Sequence, residues 1–124
     1  VSRTRVYEYS AASSSYEQRG GSINAGDLRE GSAVALSADG NALAVGAYMG
    51  GAGYAGRTRV YDFDDASGSW SQRGGFIDGG EGDWSGEIVR LSDDGTVLAV
   101  SARNNDAYRG CARVYKWRAP GGQW

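Results

Sequence analysis

Histidine is absent from all 124 residues, which removes the commonest general base, the commonest transition-metal ligand and the Ser-His pairing of nucleophilic hydrolases together. Cysteine occurs once, so no internal disulfide can form; Cys111 stands where Arg57 stands one repeat earlier, which suits a small, half-buried side chain better than a reactive thiol. Charge of one sign is also missing. Thirteen basic and fifteen acidic residues are mixed along the chain for a formal net charge of −2, leaving no field that would gather nucleic acid or anionic lipid. No apolar run approaches the ~20 residues of a membrane-spanning helix, and no signal peptide is visible. The chain opens on Val1 rather than Met, an expectation of a processed or cut N-terminus. There is neither a G-x-x-x-x-G-K-[ST] phosphate loop nor an N-x-[ST] glycosylation acceptor.

What is present is glycine (21), few prolines (1) and 14 aromatic residues, the composition of a turn-rich β protein rather than a disordered tract. The chain also repeats itself. TRVYEY at 4–9 returns as TRVYDF at 58–63 and ARVYKW at 112–117, so that Val6, Val60 and Val114 recur every 54 residues, as do Tyr16, Trp70 and Trp124. YEQRGGSI at 16–23 matches WSQRGGFI at 70–77, and LSADGNALAVGA at 36–47 matches LSDDGTVLAVSA at 91–102 at a spacing of 55. A fixed period of this size marks units that cannot bury an apolar face alone and must stack on neighbours; about three are normally needed. Two full periods fit here.

AVALS at 33–37 and IVRLS at 88–92 each run into an Asp-Gly pair, Asp39-Gly40 or Asp94-Gly95, and then into a second apolar strand. Asp-Gly between such runs predicts a two-residue type I′ hairpin. Within the second strand Leu43, Val45 and Ala47 alternate with Ala44 and Gly46, a bulky face and a small one. TRVYDF predicts a third strand whose aromatic side (Tyr61, Phe63) is packed and whose other side, with Asp62, meets solvent. WSQRG supplies the fourth. No segment shows a helical period. The fold class expected is therefore all-β, built of four-stranded antiparallel meanders of about 54 residues. Residues 1–20 would hold a partial blade (strands three and four), 33–74 a complete blade and 88–124 an incomplete one. Repeated meanders of this length suggest β-propeller blades, ahead of a β-solenoid, whose rungs are shorter, and of a two-sheet sandwich.

The order LSADGNALAVGA, Gly/Asn-rich loop, G-x-x-R-V-Y, W-x-Q-x-G and I-D-G resembles the repeats of FG-GAP-like, integrin-α-type β-propellers, and does so from Arg3 to Trp124. A kelch propeller matches less well, because the Gly doublets at 20–21 and 74–75 lack the Tyr and Trp that should follow. The resemblance implies an extracellular or surface-displayed module of adhesion or assembly, often with calcium in D-x-D-x-D-G loops. SADGN and SDDGT lack those alternating acids, which leaves Asn104, Asn105 and Asp106 as the candidate metal ligands and calcium as a possible but unrequired cofactor.

Carboxylates cluster at Asp62, Asp64, Asp65 and at Asp78, Glu81, Asp83, but in glycine-rich turns where Asp ordinarily caps backbone N–H groups. No catalytic residue is expected. Aromatics repeated once per unit read first as packing. Residues that break the repeat, Tyr48, Met49, Tyr54, Trp84, Arg103 and Tyr108, are the better loop candidates for a glycan or protein surface. Because both ends of the chain stop inside a unit, its open strands are expected to join copies of itself or neighbouring repeats of a longer chain, with Tyr7, Tyr9, Tyr115 and Trp117 buried at the junction.

Overall fold

The computed structural model describes residues 2–124 as three antiparallel sheets and no closed barrel. The first sheet is a hairpin of β1 (Tyr7–Ser10) and β2 (Ser15–Gln18). The second contains β3 (Glu30–Leu36), β4 (Ala42–Ala47), β5 (Arg57–Asp64) and β6 (Ser69–Gln72) in sequence order, with the short β7 (Ile77–Asp78) also paired to β5. The third runs β8 (Val89–Leu91), β9 (Val97–Ala102), β10 (Cys111–Lys116). Single turns at Ala52–Tyr54 and Asn105–Tyr108 are the helical pieces; Asp106 and Ala107 in the latter have left-handed dihedrals.

β6 and β7 are one strand interrupted. β6 leaves the ladder at Gln72, and Ile77 rejoins β5 opposite Thr58. In the first unit the bridge between Thr4 and Ile23 repeats this return. At the break Arg19 and Arg73 still donate their N–H groups to Val6 O and Val60 O, each at 2.7 Å, while their side chains reach the neighbouring unit.

Strand alternation then stacks the three sheets face to face. On the second sheet, Leu43 lies opposite Tyr61 and Ala44 opposite Val60, so the two pairs point to opposite faces. Leu43, Val45 and Tyr61 form one core with Val6 and Ile23 of the first unit. Ala44 and Val60 form the other with Val89, Leu98 and Val100 of the third sheet. The expectation that only the aromatic side of β5 is packed is thereby corrected. Thr58 and Val60 are each 0% exposed, because the small residues of β4 let a whole sheet close over that side.

The Asp-Gly turns also differ from expectation. Gly40 and Gly95 have φ of +72°, but Asp39 and Asp94 do not enter the positive region, so neither pair forms a type I′ turn. β3 stops at Leu36, and the connection is closed by bonds from Ser37 N to Ala42 O (3.0 Å) and Gly40 N to Ser37 O (3.0 Å). The aspartates serve through their carboxylates instead. Asp94 accepts from Thr96 N and from the hydroxyls of Thr96 and Ser92, and these bonds hold its carboxyl down at about 2. Asp39 is lowered likewise by Asn41 N and Ser37.

Candidate functional site

The most specific chemistry in the molecule lies between the units, where one contact is built twice. Arg19, leaving the end of β2, sets its guanidinium 4.1 Å from the centroid of the Phe63 ring, donates to Gly40 O (2.7 Å) and Asn41 Oδ1 (2.6 Å), and receives the Trp70 indole N–H on its own carbonyl at 2.9 Å. Arg73, 54 residues later, lies 5.8 and 5.7 Å from the Trp117 and Trp124 ring centroids, donates to Gly95 O (2.6 Å), and its carbonyl faces the Trp124 indole N–H at 3.4 Å. Phe63 and Trp70 tilt against each other at 5.1 Å, as do Trp117 and Trp124 at 5.4 Å. Asp62 holds the Arg73 fork from behind through Nε and Nη2, and Glu8 stands 3.8 Å from Arg19 in the same place.

The glycine after each arginine is part of the device. A Cβ on Gly20 would meet Trp70 at 2.8 Å, and one on Gly74 would meet Trp117 at 2.7 Å. Gln-Arg-Gly is thus a latch, in which glycine lets the backbone lie against the aromatic pair while arginine stacks on it and reaches the Asp-Gly turn of the next unit. Sequence reasoning missed it, although the exact return of QRGG at 18–21 and 72–75 was the available signal.

The loop ends carry a second set of charges. Asp27 pairs with Arg57 (3.7 Å) and with Arg59, while Arg57 also makes a double contact with Asp78 at 2.6 and 2.8 Å. The hydrogen bonds from Asp78, beside its charge and that of Asp27, raise the Arg57 pKa further despite desolvation. In the third unit Cys111 replaces that arginine. There Asp83 is buried, which alone would raise its pKa, but bonds from Asn105 Nδ2 (3.0 Å) and Gly80 N (2.9 Å) and the charge of Arg113 bring it below the usual range. The three Asp83 contacts are structural, and the loop is closed by Asn104 Nδ2 on Gly82 O at 2.7 Å.

The residues singled out from the sequence separate accordingly. Tyr7 and Tyr9 lie on the open face of the first sheet, 52% and 55% exposed. Tyr115 and Trp117 are not at a free junction, a correction to the expectation: they point inward from the third sheet onto the second, and the side chain alternating with them, Val114, is the one left 69% exposed. Asn104 and Asn105 bind the 82–83 backbone and side chain, whereas Asp106 faces Arg109 at 3.5 Å, so the three candidate metal ligands have different partners. No group of three or more acidic or thiol side chains is gathered among the described residues. Tyr54 and Tyr108 are exposed singly on their loops.

Four repeat-breaking residues do converge. Tyr48 meets Trp84 edge-on at 5.9 Å, Arg103 sits 5.5 Å from the Trp84 centroid while pairing with Glu87 at 3.0 Å, and Met49 joins them along an open cleft of 710 Å³. Trp84 holds φ at +57°, a conformation that bulky side chains rarely adopt. Compared with protein-family models, curated proteins and solved structures, the chain finds no match.

Proposed function

We propose that the chain is a non-enzymatic structural module, a run of propeller-type blades whose task is to join further units of its own kind into a larger propeller or a filament at an extracellular surface. The observation that carries this reading is the doubled latch. A contact made by the same residue types at Arg19 and again at Arg73 is a rule of assembly rather than an accident of one packing site. Adhesion and display outside the cell rest on the resemblance of the repeats to FG-GAP-like propellers.

Replacing Arg73 with alanine tests the rule. It removes the stacked cation, the bond to Gly95 O and the partner of Asp62, for an expected loss of about 1–3 kcal/mol. Amide exchange should rise first in β8 to β10, with β1 and β2 little changed. Uniform exchange, or none gained, would mean that the latch does not hold the units together.

A second reading is favoured by the cleft at Tyr48, Met49, Trp84 and Arg103. Its half-buried aromatics beside a guanidinium and a carboxylate suit the faces and hydroxyls of a sugar, or a protein surface. Glycan-array binding that disappears in Trp84→Ala would establish it.

A further inference from the structure

The first sheet carries an empty copy of the latch. Tyr7, Tyr9 and Tyr16 hold the places of Tyr61, Phe63 and Trp70 one period on. Tyr9 and Tyr16 meet at 5.5 Å and 67°, close to the 5.1 Å and 56° of Phe63 with Trp70 and the 5.4 Å and 56° of Trp117 with Trp124. Both other pairs have an arginine against them, whereas Tyr9 and Tyr16 are 55% and 71% exposed. The comparison with Tyr61, 7% exposed in the middle unit, shows how completely this face is covered where a preceding unit exists.

We propose that the Tyr9 and Tyr16 pair is a docking notch for the arginine of a Gln-Arg-Gly strand belonging to another unit of this same repeat. The inference rests on the stacking reading and deepens it by naming the residue received and the surface that receives it. Two occupied examples within the chain define the occupant's chemistry: a guanidinium against the Tyr9 and Tyr16 pair, a glycine without Cβ against one of its rings, as Gly20 lies on Trp70 and Gly74 on Trp117, and an acidic residue behind the arginine, as Asp62 stands behind Arg73. A lysine would not do the same, since its point charge cannot stack flat on a ring and reach a turn carbonyl together. The notch departs from its models at one point. Tyr16 lacks the indole N–H that Trp70 gives to the Arg19 carbonyl, so the contact is the weaker member of the series.

The test uses the full chain extended by its own repeat. Placing a copy of residues 4–57 directly before Thr4 continues the period, because Thr4 corresponds to Thr58, and it brings both a Gln-Arg-Gly strand and an Asp-Gly turn to the notch. Tyr9 and Tyr16 of the original segment should become about tenfold less reactive to tyrosine nitration than in the parent chain. Changing the added copy's Arg19→Ala should restore their reactivity, Arg19→Lys should restore most of it, and Tyr16→Trp should raise the thermal midpoint of the extended chain by supplying the missing donor. Amide protection in the added copy of β4 reports separately whether the new unit has folded onto the old. If it is protected while Tyr9 and Tyr16 react as in the parent, the notch is refuted and stacking stands. If the added copy stays unprotected, the stacking reading falls, and the notch with it.

Discussion

Gly46→Ala is expected to cost about 3 kcal/mol and to lower the thermal midpoint by about 10 °C, although it adds a single methyl to an ordinary extended strand. The reason is the direction of that methyl. A Cβ at Gly46 would fall well inside contact distance of the Gly86 carbonyl, which is backbone and cannot turn aside like a side chain. Gly86 itself sits at φ +92° and donates to Ser101 O at 2.9 Å, so the loop that would have to retreat is tied to the third sheet. The equivalent residue in the next unit is Ser101, on the half-buried side of β9, which no further sheet covers among the described residues. Ser101→Ala should therefore cost no more than about 1 kcal/mol, the bond it accepts from Ile88 N being its main contribution. Denaturant midpoints of the two variants decide the matter. A cost below about half a kcal/mol at Gly46, against the ~1–3 kcal/mol typical of overpacking, would mean that the second and third sheets are not this close.

Leu98→Ala should be the most damaging truncation, at about 3–5 kcal/mol, and should exceed Leu43→Ala even though the two leucines correspond and both are buried. Their surroundings differ in one respect. Leu98 is enclosed by the five-stranded second sheet, whereas among the described residues Leu43 borders an open groove between β1 and β3, beside the two-stranded first sheet. Val34 and Leu36 show the same gap, at 50% and 48% exposed, while Val89, the counterpart of Val34, is 0%. A cavity at Leu43 can be filled by water and by movement of β1; one at Leu98 cannot. Equilibrium unfolding of both variants gives the order, and a reversed order would show that the exposed groove is not a weakness.

Much of this was legible in the sequence because repetition reports strand position directly. The places of β3, β4, β5 and β6 follow from aligning LSADGNALAVGA and TRVYDF with their later copies, and the same alignment located β8 to β10. What a strand's two faces meet was harder to read. Alternation identified Leu43 and Ala44 as facing opposite ways, but a small residue marks solvent and a closely approaching sheet equally well, and only Gly46 against the Gly86 backbone distinguishes them. The Asp-Gly turns misled for a related reason. Asp39 and Asp94 were read by the dihedrals they tolerate, whereas their carboxylates satisfy the backbone of Asn41 and Thr96. Arg19 and Arg73 carry no local sign of a latch, since the partners that make them one lie more than 20 residues away in another unit. The cleft at Trp84 was half visible: its residues broke the period, but their convergence depends on the path of three loops.

The placement of the four indoles has a spectroscopic consequence. Trp70 alone belongs to the contact between the first and second sheets, Trp117 and Trp124 to the latch between the second and third, and Trp84 to the cleft where loops leaving β4 and β9 meet. The four emitters thus report three places, Trp117 and Trp124 sharing one, and Trp84, Trp117 and Trp124 each have a guanidinium close to the ring centroid, at 5.5, 5.8 and 5.7 Å. With phenylalanine substituted at all but one of them, intrinsic fluorescence would follow the opening of one seam at a time, with no extrinsic dye attached.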